Sequence, residues 1–203
     1  MAINLVKGDK IKLEKDNGTK LTNICVGLNW GAIQKKGFLG IKSTETVDLD
    51  ASVAVFADNN NLLETIYFGN LKSRDGSIKH SGDDRTGDEG GKDELDNEVI
   101  TIDLSKVSSG ATKIVVMLNS FKGQDFATIP YATMRIYEGT SKKVDSVFAN
   151  YNISSDPKFS GFVALVLGKI YKHNGEWKVE AIGEPTRDKN LKDTITTVTQ
   201  KFL

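Results

Sequence analysis

An acidic, glycine-rich segment at residues 80–98 is the part of the chain whose residue types most clearly suggest chemistry. Its sequence is HSGDDRTGDEGGKDELDNE, in which eight carboxylates are opposed by only two cations, Arg85 and Lys92. The carboxylates belong to Asp83, Asp84, Asp88, Glu89, Asp93, Glu94, Asp96 and Glu98. The segment thus carries a charge of about −6 in a chain whose net charge is zero. Such a charge is either dispersed by water on a solvated loop or neutralised by a bound cation.

The composition of this segment matches the ligands that a hard cation prefers. Ca²⁺ takes about six to eight oxygen atoms from carboxylates, amides, backbone carbonyls and water, and it suits flexible loops. Glycines at positions 82, 87, 90 and 91 allow such a loop to turn tightly. The pattern is not an EF-hand, because Arg85 breaks the Asp/Asn alternation and no helix is predicted before it. A cation site here is therefore expected to be built on strands.

A second pair of carboxylates lies upstream, in the stretch VDLDASVAVFA. Its alternation predicts a strand that places Asp48 and Asp50 on one face and Val47, Leu49 and Ala51 on the other. Two residues of strand span about 7 Å, so the two carboxylates are close enough to share one Ca²⁺ or to flank two.

Composition narrows the class of protein. A length of 203 residues with 38% hydrophobic content fits one domain, residues 1–203, and the 27 basic residues balance the 27 acidic ones. Nothing in that balance indicates a nucleic-acid or membrane-surface partner. Cys25 is the only cysteine, and neither a signal peptide nor an apolar run long enough to span a membrane is present. We therefore expect a cytoplasmic protein without direct membrane insertion.

The rest of the chain alternates with period two between short turns, which predicts an all-β fold of mainly antiparallel strands. The expected strands are NICVGLNW, LDASVAVFA, LETIYFGNL, EVITIDL, TKIVVMLNS, YATMRIYE, VDSVFANYNI, GFVALVLGKIYK and EWKVEAIG. After Glu184 the spacing of Leu191, Ile195 and Val198 becomes helical and predicts a short C-terminal helix.

Several motifs together resemble the TerD family of bacterial tellurium-resistance and stress-response proteins. They are LVKGDKIKLE, VGLNW, VDLDASV, FGNLKSRDGSIKHSGDDRTGD, DNEVITIDLSKV and YKHNGEWKVEAIG, in this order across almost the whole chain. The resemblance implies a β-sandwich of two packed sheets that binds Ca²⁺, two ions in our expectation. It also implies a cytoplasmic protein without known catalytic activity.

The resemblance and the local residue types together define an expected set of metal ligands. They are Asp48, Asp50, Asn70, Asp83, Asp84, Thr86, Gly87, Asp88, Asp93, Asp96 and Glu98. The sequence departs from the family pattern where the usual GDN reads GDD, where Arg85 replaces a leucine, and where the loop between Gly87 and Asp96 is longer.

Two further interpretations remain open. Clustered carboxylates with a divalent ion also serve phosphoryl hydrolysis, but the chain has no Ser-His-Asp set and no phosphate-binding GxxxxGK or GxGxxG motif. We therefore name no catalytic residue. The other interpretation is an interaction module, in which cation binding orders the loop for a partner. The resemblance implies partners among other stress or tellurium-resistance proteins, including a membrane-bound complex.

His80 lacks zinc-ligand spacing to any other histidine or cysteine and is expected to be a structural hydrogen-bonding residue.

Overall fold

The computed structural model of the protein describes residues 2–36, 42–90, 95–153 and 157–203. Strands and one α-helix account for most of this part of the chain. The elements are β1 (Ile3–Asn4), β2 (Lys10–Lys12), β3 (Asn23–Trp30), β4 (Ile33–Lys36), β5 (Lys42–Glu45), β6 (Leu49–Phe56), β7 (Leu62–Ile66), β8 (Ile78–His80), β9 (Glu98–Asp103), β10 (Lys113–Ser120), β11 (Ala132–Thr140), β12 (Lys143–Asn152), β13 (Ala164–His173), β14 (Glu176–Thr186) and α1 (Leu191–Lys201).

Two six-stranded sheets form a β-sandwich, as expected. Sheet 1 has the order β1-β12-β11-β3-β9-β8, and sheet 2 has the order β2-β14-β13-β10-β6-β7. Their strand pairs are antiparallel except for β1 with β12. All nine strands predicted from alternation are present, because each is long enough to show a period of two, but the one predicted over LETIYFGNL ends at Ile66, where a turn begins.

The strands that the sequence did not reveal are short. β1, β2 and β8 span two or three residues each. β4 and β5 form a separate hairpin, which lies outside all the strands predicted from alternation. Their sequences, IQKK and KSTE, are almost entirely polar and carry no apolar alternation. These two strands are defined by the hydrogen bonds between their backbones, and local sequence patterns do not reveal which backbones pair.

One hydrophobic core lies between the sheets. The inward residues of sheet 1 include Val26 and Ile100, and those of sheet 2 include Val53 and Ile114. On β6 and the residues just before it, Val47, Leu49 and Ala51 belong to this core, which leaves Asp48 and Asp50 on the opposite face, as predicted.

Helix α1 covers part of the outer face of sheet 2. Asn190 caps it by accepting a hydrogen bond from the backbone N–H of Asp193, and Val198 packs in a cluster with Phe56 and Met117. This helix is too short to cross a membrane, and the described residues contain no other helix that could. Its apolar contacts on β6 begin at Ala54, so the preceding outward positions of that strand lie beyond them.

The first half of β6 has neighbours on only one side within its sheet. β10 pairs with β6 along its whole length, opposite Asp50 at Asn119, whereas β7 pairs with it only from Val53 onward. Side chains from sheet 1 bind the backbone that β7 leaves unpaired. Glu98 accepts a hydrogen bond from the N–H of Ala51 at 2.7 Å. This edge of β6 is where the acidic loop meets the sandwich.

Candidate metal centre

Three carboxylates converge at the start of β6. Asp48 and Asp50 come from the strand and its approach, and Asp83 comes from the acidic loop. One oxygen from each lies within 4.8 Å of the others. Oxygens on opposite sides of one Ca²⁺ are about 5 Å apart, so these three atoms fit inside a single coordination sphere.

The three side chains differ in their access to water. The Asp48 side chain is only 4% exposed, Asp50 is half-buried, and the Asp83 side chain is 37% exposed. The cluster is therefore open on the loop side and closed on the strand side. An ion could enter past Asp83 and keep water molecules there, as Ca²⁺ commonly does.

Burial, together with the like charges of the cluster, raises the pKa of its two less exposed carboxyl groups. Burial, reinforced by the negative charges of Glu98, Asp48 and Asp83, raises the pKa of Asp50 to about 7. Burial also raises the pKa of Asp48 above its ordinary value, although Lys122 partly offsets this effect. Carboxylates held this way bind a proton or a metal cation more readily than isolated ones.

Lys122 provides a positive charge beside the cluster. Its Nζ lies 3.6 Å from Asp48 Oδ2 and donates hydrogen bonds to Thr46 Oγ1 at 3.3 Å and to the carbonyl of Arg85 at 3.4 Å. The lysine thus bridges the strand approach and the acidic loop. Its side chain is 45% exposed, so the lysine has room to move away from Asp48.

A tight turn in the loop fixes the position of Asp83. Asp84 Oδ1 accepts hydrogen bonds from the backbone N–H groups of Thr86 at 2.9 Å and Gly87 at 3.0 Å. Burial alone would raise the pKa of Asp84, but these hydrogen bonds hold it below its ordinary value. Gly87 has φ of +68°, and a Cβ there would lie 2.8 Å from the Trp30 ring, so the turn requires glycine.

Glu98 and His80 form hydrogen bonds with the backbone next to the clustered carboxylates. Glu98 is fully buried, and it accepts hydrogen bonds from the N–H groups of Ala51 and Asp84 at 2.7 and 3.2 Å. Burial raises the pKa of Glu98. His80 Nδ1 accepts from Gly82 N–H at 3.1 Å, which leaves Nε2 to donate to the Ala51 carbonyl at 3.1 Å. His80 therefore has the structural hydrogen-bonding role that we predicted.

The carboxylate of Asp88 is bound by other protein groups. It accepts hydrogen bonds from Tyr131 Oη at 2.6 Å, Asn29 Nδ2 at 3.0 Å and Asn97 Nδ2 at 3.0 Å. These bonds attach the far side of the loop to sheet 1. The Asp88 carboxylate is thus used to hold the loop, and it is not part of the three-carboxylate cluster.

Other expected ligands also lie outside the cluster. Asp96 is nearly buried and pairs with Arg135 Nε at 2.9 Å, above the backbone of Gly27. Asn70 is exposed in the turn after β7, where its Nδ2 donates to the Thr65 carbonyl at 2.7 Å. Asp93 falls outside the described residues. Of the expected ligands that the structure describes, Asp48, Asp50 and Asp83 therefore lie together. Four others adjoin this cluster: Asp84, Thr86, Gly87 and Glu98.

Sequence reasoning missed two contributors, Lys122 and Tyr131. Lys122 follows the end of β10, and Tyr131 precedes β11. Neither belongs to a motif, and each reaches the site only through strand pairing. Knowledge that β10 pairs with β6 would have placed Lys122 near Asp48.

The arrangement suits a hard divalent cation. It offers carboxylate oxygens from three residues, and further oxygens on the adjoining loop backbone, without sulfur or free imidazole ligands. A glycine-containing loop on one side and a rigid strand on the other can adjust to a large ion.

Comparison with known proteins agrees with this structure. The TerD domain family model matches residues 1–197. The stress response protein SCP2 of Bacillus subtilis (strain 168) is 36% identical in an alignment 208 positions long, which covers 96% of this chain and 98% of the relative. The tellurium resistance protein TerD of Serratia marcescens is 32% identical over 191 residues, 91% of each chain.

A solved structure shares the fold. The crystal structure of a homologue of telluride resistance protein (TerD) from Streptomyces coelicolor A3(2) superimposes with a TM-score of 0.66 and covers 88% of this chain and 98% of that one. Its identity of 17% supports the fold alone. With the family match and the curated relatives, the conclusion is that this chain belongs to the TerD family of tellurium-resistance and stress-response proteins.

Proposed function

We propose that the protein is a Ca²⁺-binding member of the TerD family and that the cluster of Asp48, Asp50 and Asp83 holds the ion. The observation that carries the proposal is the convergence of three carboxylate oxygens within 4.8 Å. Like charges this close repel one another unless a cation or a proton neutralises them. Lys122 supplies one positive charge beside three negative ones, so the cluster retains a net negative charge at neutral pH.

The proposed preference is for Ca²⁺ over Mg²⁺. Mg²⁺ requires a small octahedral site and gives up its water reluctantly, whereas Ca²⁺ accepts seven or eight oxygens in irregular geometry. An acidic loop facing a strand provides the irregular arrangement. The cluster accounts for one ion, and the adjoining oxygens of the loop are the candidates for the second ion that the family resemblance implies.

The proposed cellular role follows from the relatives. They are named as stress response or tellurium resistance proteins, not as enzymes. We infer a cytoplasmic interaction module in which Ca²⁺ fixes the acidic loop against β6 and so completes a surface for other stress or tellurium-resistance proteins, membrane-bound ones among them. The fully buried Glu98 supports this inference, because it links the loop to β6 through Asp84 and Ala51.

Isothermal titration calorimetry on the purified full chain tests the proposal. Protein stripped with chelator is titrated with Ca²⁺, and then with Mg²⁺ in competition. Asp83→Asn should weaken Ca²⁺ binding, whereas Asp58→Asn, an exposed acid at the other end of β6, should not. Equal affinities for both ions, or equal affinities in both variants, would contradict the proposal. Metal-dependent hydrolysis of a phosphodiester that Asp83→Ala abolishes would support a phosphohydrolase instead.

A further inference from the structure

A cavity adjoins the candidate metal centre on the outer face of sheet 2 and shares Asp50 with it. It occupies the region that helix α1 leaves uncovered, between the start of the helix and the ends of β6 and β10. Its volume of about 270 Å³ lies just below the roughly 300–1,000 Å³ of sites for drug-sized ligands. The cavity is therefore suited to a small organic molecule.

The outer part of the cavity is aromatic. Tyr67, Phe68 and Phe121 line it, and the rings of Phe68 and Phe121 pack edge to face with centroids 6.2 Å apart. Phe121 is 64% exposed and Phe68 is 40% exposed. Exposed aromatic residues gathered at the mouth of a cavity are typical of a binding site, because single exposed hydrophobic residues are usually scattered.

The inner wall carries two buried polar atoms that find no hydrogen-bond partner among the described residues. They are Ser52 Oγ and Asn119 Oδ1, on side chains that are 1% and 7% exposed. Buried polar atoms are paired in most proteins, and an unpaired one costs free energy comparable to a lost hydrogen bond. Ser52 lines the cavity, and its hydroxyl turns about a single torsion, so a ligand group within reach would satisfy it.

The orientation of the Asn119 amide follows from its neighbour. Thr194 Oγ1 donates to the Asn190 carbonyl at 3.1 Å, so it accepts from Asn119 Nδ2 at 2.9 Å. Asn119 Oδ1 is therefore an acceptor that requires a donor. Asp50 lies opposite Asn119 in the β6–β10 register and also lines the cavity, which adds a carboxylate acceptor.

These features together define a ligand class. We propose that the cavity binds a small primary ammonium compound with an apolar or aromatic body, whose N–H donors face Asp50, Ser52 and Asn119. The aromatic rim covers the apolar body. Lys189 also lines the cavity, but its exposed charge is screened by water, whereas the acceptors are covered by protein. Asp50 also belongs to the candidate metal centre, so the assignment is tested with Ca²⁺ removed.

Titration of the full chain with 2-phenylethylammonium chloride, followed by amide chemical shifts, tests the assignment. Chelator is present throughout, so that the result does not depend on Ca²⁺ binding. Saturable binding is expected at residues lining the cavity. The neutral 2-phenylethanol and the anionic phenylacetate should bind at least about tenfold more weakly, because neither offers charge-assisted donors to these acceptors.

Two variants and a matched control complete the test. Ser52→Ala removes a hydroxyl that finds no partner among the described residues, so it should weaken ammonium binding while leaving the melting temperature unchanged or higher. Phe121→Ala should weaken binding about threefold or more. Leu63→Ala, an exposed apolar residue on β7 outside the cavity, should bind as the wild type does. Absence of saturable binding, equal binding of the alcohol and the anion, or unchanged affinity in both cavity variants would overturn the proposal.

Discussion

At the residue scale, the candidate centre is a set of three carboxylates that are held closer together than their charges favour. Asp50 shows this most clearly, since it is half-buried and faces Asp48, Asp83 and Glu98. Its pKa of about 7 means that a proton occupies it part of the time at neutral pH. Metal binding would replace that proton, so stability, pH and Ca²⁺ affinity should be linked.

The first prediction concerns Asp50→Asn. Without Ca²⁺, this variant should melt about 2–4 °C higher than the wild type at pH 8, the shift that about 1 kcal/mol produces in a protein of this size, because a repelled charge is removed. Its Ca²⁺ affinity should fall at least about tenfold, since an anionic ligand is lost. Thermal melts in chelator and calorimetric titration measure the two effects. A lower melting temperature with unchanged Ca²⁺ affinity would contradict the assignment.

Removal of the neighbouring positive charge should have the opposite effect on affinity. Lys122→Met retains the apolar stem but loses the charge 3.6 Å from Asp48. Partly exposed ion pairs contribute about 0.2–1 kcal/mol, so Ca²⁺ affinity should rise up to about fivefold. The control is Lys79→Met, which changes an exposed lysine on β8. Weaker calcium binding in Lys122→Met would show that the lysine supports the site rather than competing with the ion.

The raised pKa of Asp50 also fixes the sign of a pH effect. In the folded protein Asp50 holds its proton up to about pH 7, whereas its ordinary pKa is 3.8, so folding takes up a proton between these values. The free energy of unfolding in chelator should therefore fall as pH rises from about 5.5 to 8, and Ca²⁺ affinity should rise over the same range. Denaturant unfolding at several pH values measures the slope. An equally steep slope in Asp50→Asn would assign it to other groups.

At the scale of elements, the site depends on how the acidic loop is attached to two strands. The turn at Asp84 fixes Asp83, Glu98 links the loop to β6, and Asp88 links it to sheet 1. Most of the carboxylates in this segment that the structure describes therefore hold the loop in place, and the three-carboxylate cluster takes only Asp83 from it.

A pair of glycine substitutions separates the turn from the rest of the loop. Gly87→Ala should lower the unfolding free energy by about 1–3 kcal/mol, because its φ is positive and the added Cβ would meet Trp30. Gly90→Ala is the matched control, since a Cβ there meets no atom within 4 Å. Denaturant unfolding of both variants checks the prediction. Equal stability of both would show that the loop can change its path without cost.

The elements that the sequence predicted well are those with local signals. The outward face of Asp48 and Asp50 could be predicted because their inward neighbours, Val47 and Leu49, alternate with them along the start of β6 and its approach. The density of carboxylates and glycines directed attention to the loop. Neither signal could separate Asp83, which joins the cluster, from Asp88 and Asp96, whose partners Tyr131 and Arg135 come from distant residues.

What the sequence could not reveal is long-range. The proximity of Lys122 to Asp48, and of Asn119 to Asp50, follows from the register of β6 against β10, about seventy positions apart along the chain. Glu98 and His80 belong to sheet 1, and their hydrogen bonds to the Ala51 backbone reach across to sheet 2. No local pattern encodes such pairings, because strand alternation is the same for every partner.

At the scale of the whole molecule, the packed sandwich fixes the strand side of the site, whereas the loop side is expected to be fixed by cation binding. The core between the sheets fixes β6 through Val53 and Val55, whereas Asp83 is exposed and carried by a turn. A cation bound only by the folded state stabilises the whole fold by RT ln(1 + [L]/Kd). The stability of the protein therefore reports occupancy of the site.

The measurement that tests the central claim most directly is the melting temperature of the full chain in chelator, Ca²⁺, Mg²⁺ and NaCl of equal ionic strength. At about a hundredfold excess over Kd, Ca²⁺ should add about 2.7 kcal/mol per site, a rise of several degrees. NaCl should produce only the smaller effect of screening, Mg²⁺ should produce less than Ca²⁺, and Asp50→Asn should lose most of the rise. A melting temperature that is the same in Ca²⁺ and in chelator would contradict the account.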